Sequence, residues 1–184
     1  MRIERDRSQL LIIDVQERLA PAVLEHEGVI AMSGKLIAAA KAVGAPITVS
    51  EQYPRGLGPT VAPLHEAIGN EGAFIEKTHF SCLREAPLRQ RIEMLRAEGR
   101  DQVIVAGMEA HICVAQTVLD LAEEGFHAFA VADAMSSRAA QSRDLALQRM
   151  RHAGAPSVTV EMVIFEWLDR AGTPEFKALQ ALVK

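Results

Sequence analysis

Three residues of this 184-residue chain have the types that acyl-transfer chemistry uses, and each lies at or just past an apolar run. Asp14 closes QLLIID (9–14), Lys77 closes AFIEK (73–77), and Cys113 follows DQVIVAG (101–107) in the segment GMEAHICV. An acid can take a proton and return it. A lysine nearby can hold a thiolate or a carboxylate in its charged form. A cysteine where a strand turns into a helix is set up for attack, because the N–H groups of the helix start favour thiolate and can bind an oxyanion. Each residue also has an ordinary reading: Asp14 as a capping acid, Lys77 as a solvated strand end, Cys113 as a small buried apolar side chain. Position alone leaves those alternatives open. Cys82, in FSCLRE, is expected to line or pack near such a site rather than react.

The other chemistry-bearing residues are less organised. The six histidines (His26, His65, His79, His111, His127 and His152) show no paired ligand spacing, so no metal is expected. His79 and His111 are candidates for a Cys–His pair, although His111 would have to reach the sulfur from a tight connection. The chain has neither G-x-G-x-x-G nor a Walker A pattern, and no cofactor is expected.

These residues must be positioned by the elements between them. Short apolar runs alternate with helical patterns: QLLIID, APITVS (45–50), AFIEK, DQVIVAG, HAFAVAD (127–133) and SVTV (157–160) read as strands. Between them, Ser33 is expected to cap a helix that stops at Gly44, and another helix starts near Glu85 with Leu88, Ile92 and Leu95 on one stripe. Val114, Val118 and Leu121 mark a helix closing at Gly125, and Leu145, Leu147 and Met150 one from Ser142 to Arg151. The Pro- and Gly-rich stretch 51–72 reads as a long surface loop with one short helix near Leu64–Ile68. This alternation predicts a Rossmann-like, three-layer α/β/α fold with a six-stranded, mainly parallel sheet in one domain spanning 1–184. Ligands of such sheets bind past the carboxyl ends of the strands, where Asp14, Lys77 and Cys113 fall.

Composition limits the partners. The formal net charge is −4, with both signs interspersed, which argues against nucleic acid as the main partner. No apolar run approaches the ~20 residues of a membrane span, so no membrane partner is expected. The charged opening MRIERDRSQ shows no signal-peptide pattern, and two cysteines suit a reducing compartment, so the expected location is cytoplasmic.

Taken together, IIDVQ, IEKTHFSC and GMEAHICV, in this order, resemble the isochorismatase-like cysteine hydrolases over nearly the whole chain. SEQYPRGLGPTV (50–61) and VADAMSSR (131–138) bring the resemblance closest to the isochorismatase domain-containing subgroup. The resemblance implies an Asp–Lys–Cys triad at Asp14, Lys77 and Cys113. It also implies a cis peptide between Met108 and Glu109, and an oxyanion hole from the backbone N–H groups of Glu109 and Cys113. True isochorismatases lack the cysteine, so Cys113 points to the amidase branch acting on C–N bonds. Nicotinamidases of that branch carry a metal-binding Asp-x-His segment where this chain reads EQYPRGLG. Ala110 replaces the Thr or Ser of many family members. The implied partner is a small-molecule substrate, with Gln16, Gln52, Tyr53 and Phe80 as candidates for the pocket wall; Gln16 alternatively braces the loop after the first strand. Relatives commonly assemble, which implies a homo-oligomer, and the apolar VIFEWL (163–168) is either interface or core. A non-catalytic binding or assembly module, or an FMN-binding flavodoxin-like domain, remains open on fold alone.

Overall fold

In the computed structural model, which describes residues 1–183, the apolar runs become the strands of one parallel sheet. In chain order the elements are β1 (Ser8–Ile13), α1 (His26–Val43), β2 (Ile47–Gln52), α2 (Pro54–Leu57), α3 (Ala62–Ile68), β3 (Gly72–Lys77), α4 (Ala86–Ala97), β4 (Gln102–Met108), α5 (Ala115–Glu123), β5 (His127–Ser136), α6 (Ala140–His152), β6 (Ser157–Val158), α7 (Val160–Leu168) and α8 (Pro174–Val183). The strand order is β3-β2-β1-β4-β5-β6, and every neighbouring pair is parallel.

The unbroken apolar character of the central strands follows from helices on both faces. Leu10 and Ile12 of β1 and Ile104 and Ala106 of β4 join one core with Leu36 and Ile37 of α1 and Trp167 of α7. The alternate residues Leu11, Ile13, Val103 and Val105 join the other, with Leu88 and Ile92 of α4 and Val118 and Leu121 of α5. VIFEWL belongs to the first core: Val163, Ile164, Trp167 and Leu168 are buried, and the Trp167 indole N–H donates to Ser8 Oγ at 2.9 Å. Among the described residues no helix is long and apolar enough to cross a membrane.

Several expectations are corrected. Ser33 does not cap α1, which starts at His26; it lies buried inside the helix, while Gly44 does end it in a left-handed conformation. Leu145 faces solvent, because α6 turns Ala146 and Met150 inward instead. The last strand stops at Val158 because the Thr159 side chain accepts from Met162 N–H and starts α7 there. The 51–72 stretch holds α2 as well as the expected short helix.

The chain runs outward from β1 through β2 to β3, then returns to β4 and runs the other way. Strand order therefore reverses between β1 and β4, and the crevice at their carboxyl ends is the expected binding place. Gly107 fixes how closely those two strands meet. It is in register with Ile13, has φ +129°, and a Cβ there would lie 2.0 Å from Ile13 O. Neither backbone can move without displacing Asp14, the next residue. Gly107→Ala is expected to cost about 3 kcal/mol or more, read as a lowered urea midpoint; an unfolding free energy within ~0.5 kcal/mol of the parent would show that the strands can part there.

Candidate active site

Asp14 leaves β1 with φ +53°, a conformation that turns its side chain across the carboxyl edge. Its own N–H donates to Ser50 O at 3.1 Å, and its carbonyl accepts from Gln16 N–H at 2.9 Å. The carboxylate is fixed on both oxygens: Ser50 Oγ donates to Oδ1 at 2.6 Å and Lys77 Nζ to Oδ2 at 2.7 Å. Lys77 comes from β3, two strands from β1, a gap of about 10 Å that a long side chain can bridge. It crosses the end of β2, and both charged side chains are fully buried.

The Lys77 ammonium has more acceptors than it has hydrogens. Besides Asp14, Gln52 Oε1 lies at 2.6 Å, Phe80 O at 3.1 Å and His79 O at 3.2 Å. Gln52 is itself held, its Nε2 donating to Thr78 O at 2.9 Å. The strap 78–82 thus folds over the lysine and presents backbone carbonyls to it.

Cys113 lies in a π-type turn, Ala110–Val114, between β4 and α5, rather than at the first position of a regular helix. The Met108–Glu109 peptide entering the turn is cis. Ile112 N–H and Val114 N–H both donate to Glu109 O, at 3.0 and 3.3 Å, on either side of Cys113 N–H. Thr117 ties this turn to the lysine strap: Cys82 N–H donates to its Oγ1 at 3.0 Å, and that hydroxyl donates to Cys113 O at 2.7 Å.

Burial dominates the electrostatics. It raises the Asp14 carboxyl above its ordinary value, against the opposing charge of Lys77 and hydrogen bonds from Lys77, Ser50 and Cys113. For Lys77 burial acts against the ammonium, but the negative charge of Asp14, with smaller contributions from Cys82 and Cys113, raises it overall. The lysine therefore stays charged. Burial and then the Asp14 charge push the Cys113 thiol well up, and Lys77 offsets this only in part. Burial and the Asp14 charge act against the helix-start argument for a thiolate and favour the protonated thiol at rest. Cys82 is pushed up to about 11 by burial and by Asp14, and packs in the same core as Cys113.

The two candidate histidines are not brought to the sulfur. His111 Nδ1 lies 2.9 Å from Ser137 Oγ, and His79 Nδ1 lies 3.1 Å from Glu85 Oε2. Gln16 is a brace: its Nε2 donates to Gln52 O and Gly58 O, and its Oε1 accepts from Gln52 N–H. Tyr53 and Phe80 have exposed side chains, and their backbones serve the lysine, Tyr53 N–H donating to Lys77 O. Ser50 and Thr117 were not singled out in the sequence. Each carries a signal in hindsight, being a polar residue on an otherwise buried strand or on the apolar stripe of a helix.

A buried acid with a raised proton affinity, beside a thiol and a fixed cation, can accept a proton from sulfur and return it elsewhere. Comparison with known proteins gives the family and the fold. Residues 8–162 match the family model described as Isochorismatase domain. Isochorismatase domain-containing protein 2 of Danio rerio is 37% identical over 184 residues, covering 99% of this chain and 89% of that one. A secreted isochorismatase effector of Phytophthora sojae is 35% identical over 179 residues, covering 96% and 84%. The structure of a protein named MAR1 ribonuclease, from Caenorhabditis elegans, superposes with a TM-score of 0.92 at 36% identity, covering 100% of this chain and 92% of that one.

Proposed function

The chain belongs to the isochorismatase domain family, and from that premise we propose that it is a cysteine-dependent hydrolase of small amides or related C–N substrates. The observation that carries the proposal is the fully buried Asp14–Lys77 ion pair, whose charges act on the buried Cys113 thiol. In the proposed mechanism Asp14 takes the proton from Cys113 as the sulfur attacks the carbonyl carbon. The backbone N–H groups of Glu109 and Cys113 hold the oxyanion. Protonated Asp14 then gives its proton to the departing nitrogen as the C–N bond breaks, leaving a thioester. Asp14 next deprotonates a water that attacks the thioester; the C–S bond breaks and the proton returns to sulfur. Lys77 holds the acid in place and keeps a positive charge beside the sulfur throughout.

A raised carboxyl supports this assignment, because an acid with an ordinary proton affinity would accept a thiol proton less readily. A ribonuclease activity is a property of the nematode protein's name. Here the net charge of −4 and the wholly buried lysine give a polyanionic backbone little to meet. A reducing cytoplasm is the compartment that suits two free cysteines, one of them the proposed nucleophile.

The test is a panel of small amides followed by intact-mass measurement after rapid acid quench. The expected result is an acyl adduct on Cys113 that disappears on standing and is missing in Cys113→Ala. His79→Ala and His111→Ala are each expected to cost less than the ~100-fold that marks loss of a general base. Undiminished turnover by Cys113→Ala would rule out the thioester route.

A further inference from the structure

Ser50 holds Asp14 from the adjacent strand. It lies on β2 in register with Ile13, the residue before the acid, and it is wholly buried. Ser50 O accepts from Asp14 N–H at 3.1 Å, and Ser50 Oγ donates to Asp14 Oδ1 at 2.6 Å. One residue thus grips the acid twice. The first contact holds the backbone where Asp14 takes its left-handed φ of +53°, and the second holds the carboxylate itself. Most buried hydroxyls donate to a backbone carbonyl, whereas this one is aimed at a charged side chain in the candidate active site.

The two donors on the carboxylate differ in kind. Lys77 Nζ, on Oδ2, is a cation that can only donate. The Ser50 hydroxyl, on Oδ1, is neutral and can turn from donor to acceptor. It satisfies the ionised acid where burial acts against charge, and it can stay bonded once the acid takes a proton. We propose that Ser50 is a positioning residue whose hydroxyl, through Oδ1, keeps Asp14 in one rotamer and in its proton-accepting form; its part in turnover rests on the hydrolase reading of this site. The titratable groups that act on Asp14 are Lys77 from β3, Cys113 from the turn after β4 and Cys82 from the strap 78–82. Burial and then the Asp14 charge raise both thiols, Cys82 to about 11, and the Asp14 charge keeps Lys77 raised against its burial. A change on the acid side therefore reports Asp14 itself.

Asp14 is followed first without substrate, through its carboxyl carbon resonance against pH in protein labelled at aspartate, assigned by its loss in Asp14→Asn. The hydrogen bond from Ser50 acts to lower the Asp14 carboxyl. Its midpoint is therefore expected to rise in Ser50→Ala and to return to the parent's in Ser50→Thr. Ser50→Cys, similar in size and only a weak donor, is expected to fall between them, and it reads the same shift if the alanine variant does not fold. With small amides, the acid limb of kcat/KM reports the base of the free enzyme. That limb is expected to move to higher pH in Ser50→Ala, so that turnover on it falls about tenfold, with recovery in Ser50→Thr. A midpoint unmoved in both Ser50→Ala and Ser50→Cys overturns the proposal. So does a loss of turnover by one factor at every pH, the mark of a serine that only fills its place. If the Asp14 midpoint shifts as expected while no amide is turned over even by the parent, the hold of Ser50 on the acid stands and the hydrolase reading is what fails.

Discussion

Asp14→Asn is expected to lower amide turnover by about 10²–10⁴-fold while making Cys113 alkylate faster at neutral pH. The two effects have one origin. The Asp14 carboxylate raises the thiol both by its charge and by its hydrogen bond, and Lys77 acts in the opposite sense. Replacing the acid by its amide removes both raising influences and leaves the cation beside the sulfur, so the thiol ionises at lower pH. An enzyme that needed only a thiolate would gain from this variant. One that must return the thiol's proton to the leaving nitrogen loses, because asparagine can carry no proton between them. The measurement is the iodoacetamide rate against pH, followed by intact mass, beside steady-state turnover. The midpoint should move down relative to the parent, since the group's folded value falls. A midpoint that stays put or rises would mean that Asp14 does not govern the sulfur's proton.

The positions of Asp14, Lys77 and Cys113 were legible because an apolar run on a two-sided sheet must end somewhere, and polar residues at those ends stand out. The six strands were legible for the same reason, and their parallel pairing follows from the helical stretches between them. What joins the three residues was not legible. Lys77 reaches an acid 63 positions earlier by crossing the end of an intervening strand, and no periodicity encodes that reach. The carbonyls of His79 and Phe80 that cradle its ammonium are backbone atoms, so side-chain identity says nothing of them. Tyr53 and Phe80 are candidates for the pocket wall by residue type, and the backbone contacts they make to Lys77 are a separate matter that residue type does not reveal. Cys113 shows the sharpest reversal. A helix start argues for thiolate, but the low-dielectric surroundings and an adjacent carboxylate outweigh a partial dipole charge, and only the folded arrangement supplies both.

Lys77→Met is expected to destabilise the fold by about 3–5 kcal/mol near neutral pH, more than loss of an exposed ion pair, whose usual worth is ~1 kcal/mol or less. The variant leaves Asp14 buried without its cation and strips a donor from Gln52 Oε1 and the carbonyls of His79 and Phe80. The deficit should depend on pH, with a definite sign. In the parent the folded Asp14 carboxyl already lies above its ordinary value of 3.8, and Lys77 is what holds it down. Without the lysine it lies higher still, so from 3.8 up to its folded value the folded chain binds more protons than the unfolded one. Stability of the variant therefore falls as pH rises through that window, and the deficit is smallest at its acid end, where Asp14 is neutral. Urea midpoints taken at several pH values between about 4 and 7.5 read this directly. The double variant Asp14→Asn/Lys77→Met should recover much of the loss at neutral pH, since no unpaired buried charge remains. A deficit independent of pH, or a double variant as unstable as the sum of the singles, would mean that the lysine acts through packing of its aliphatic chain rather than through its charge.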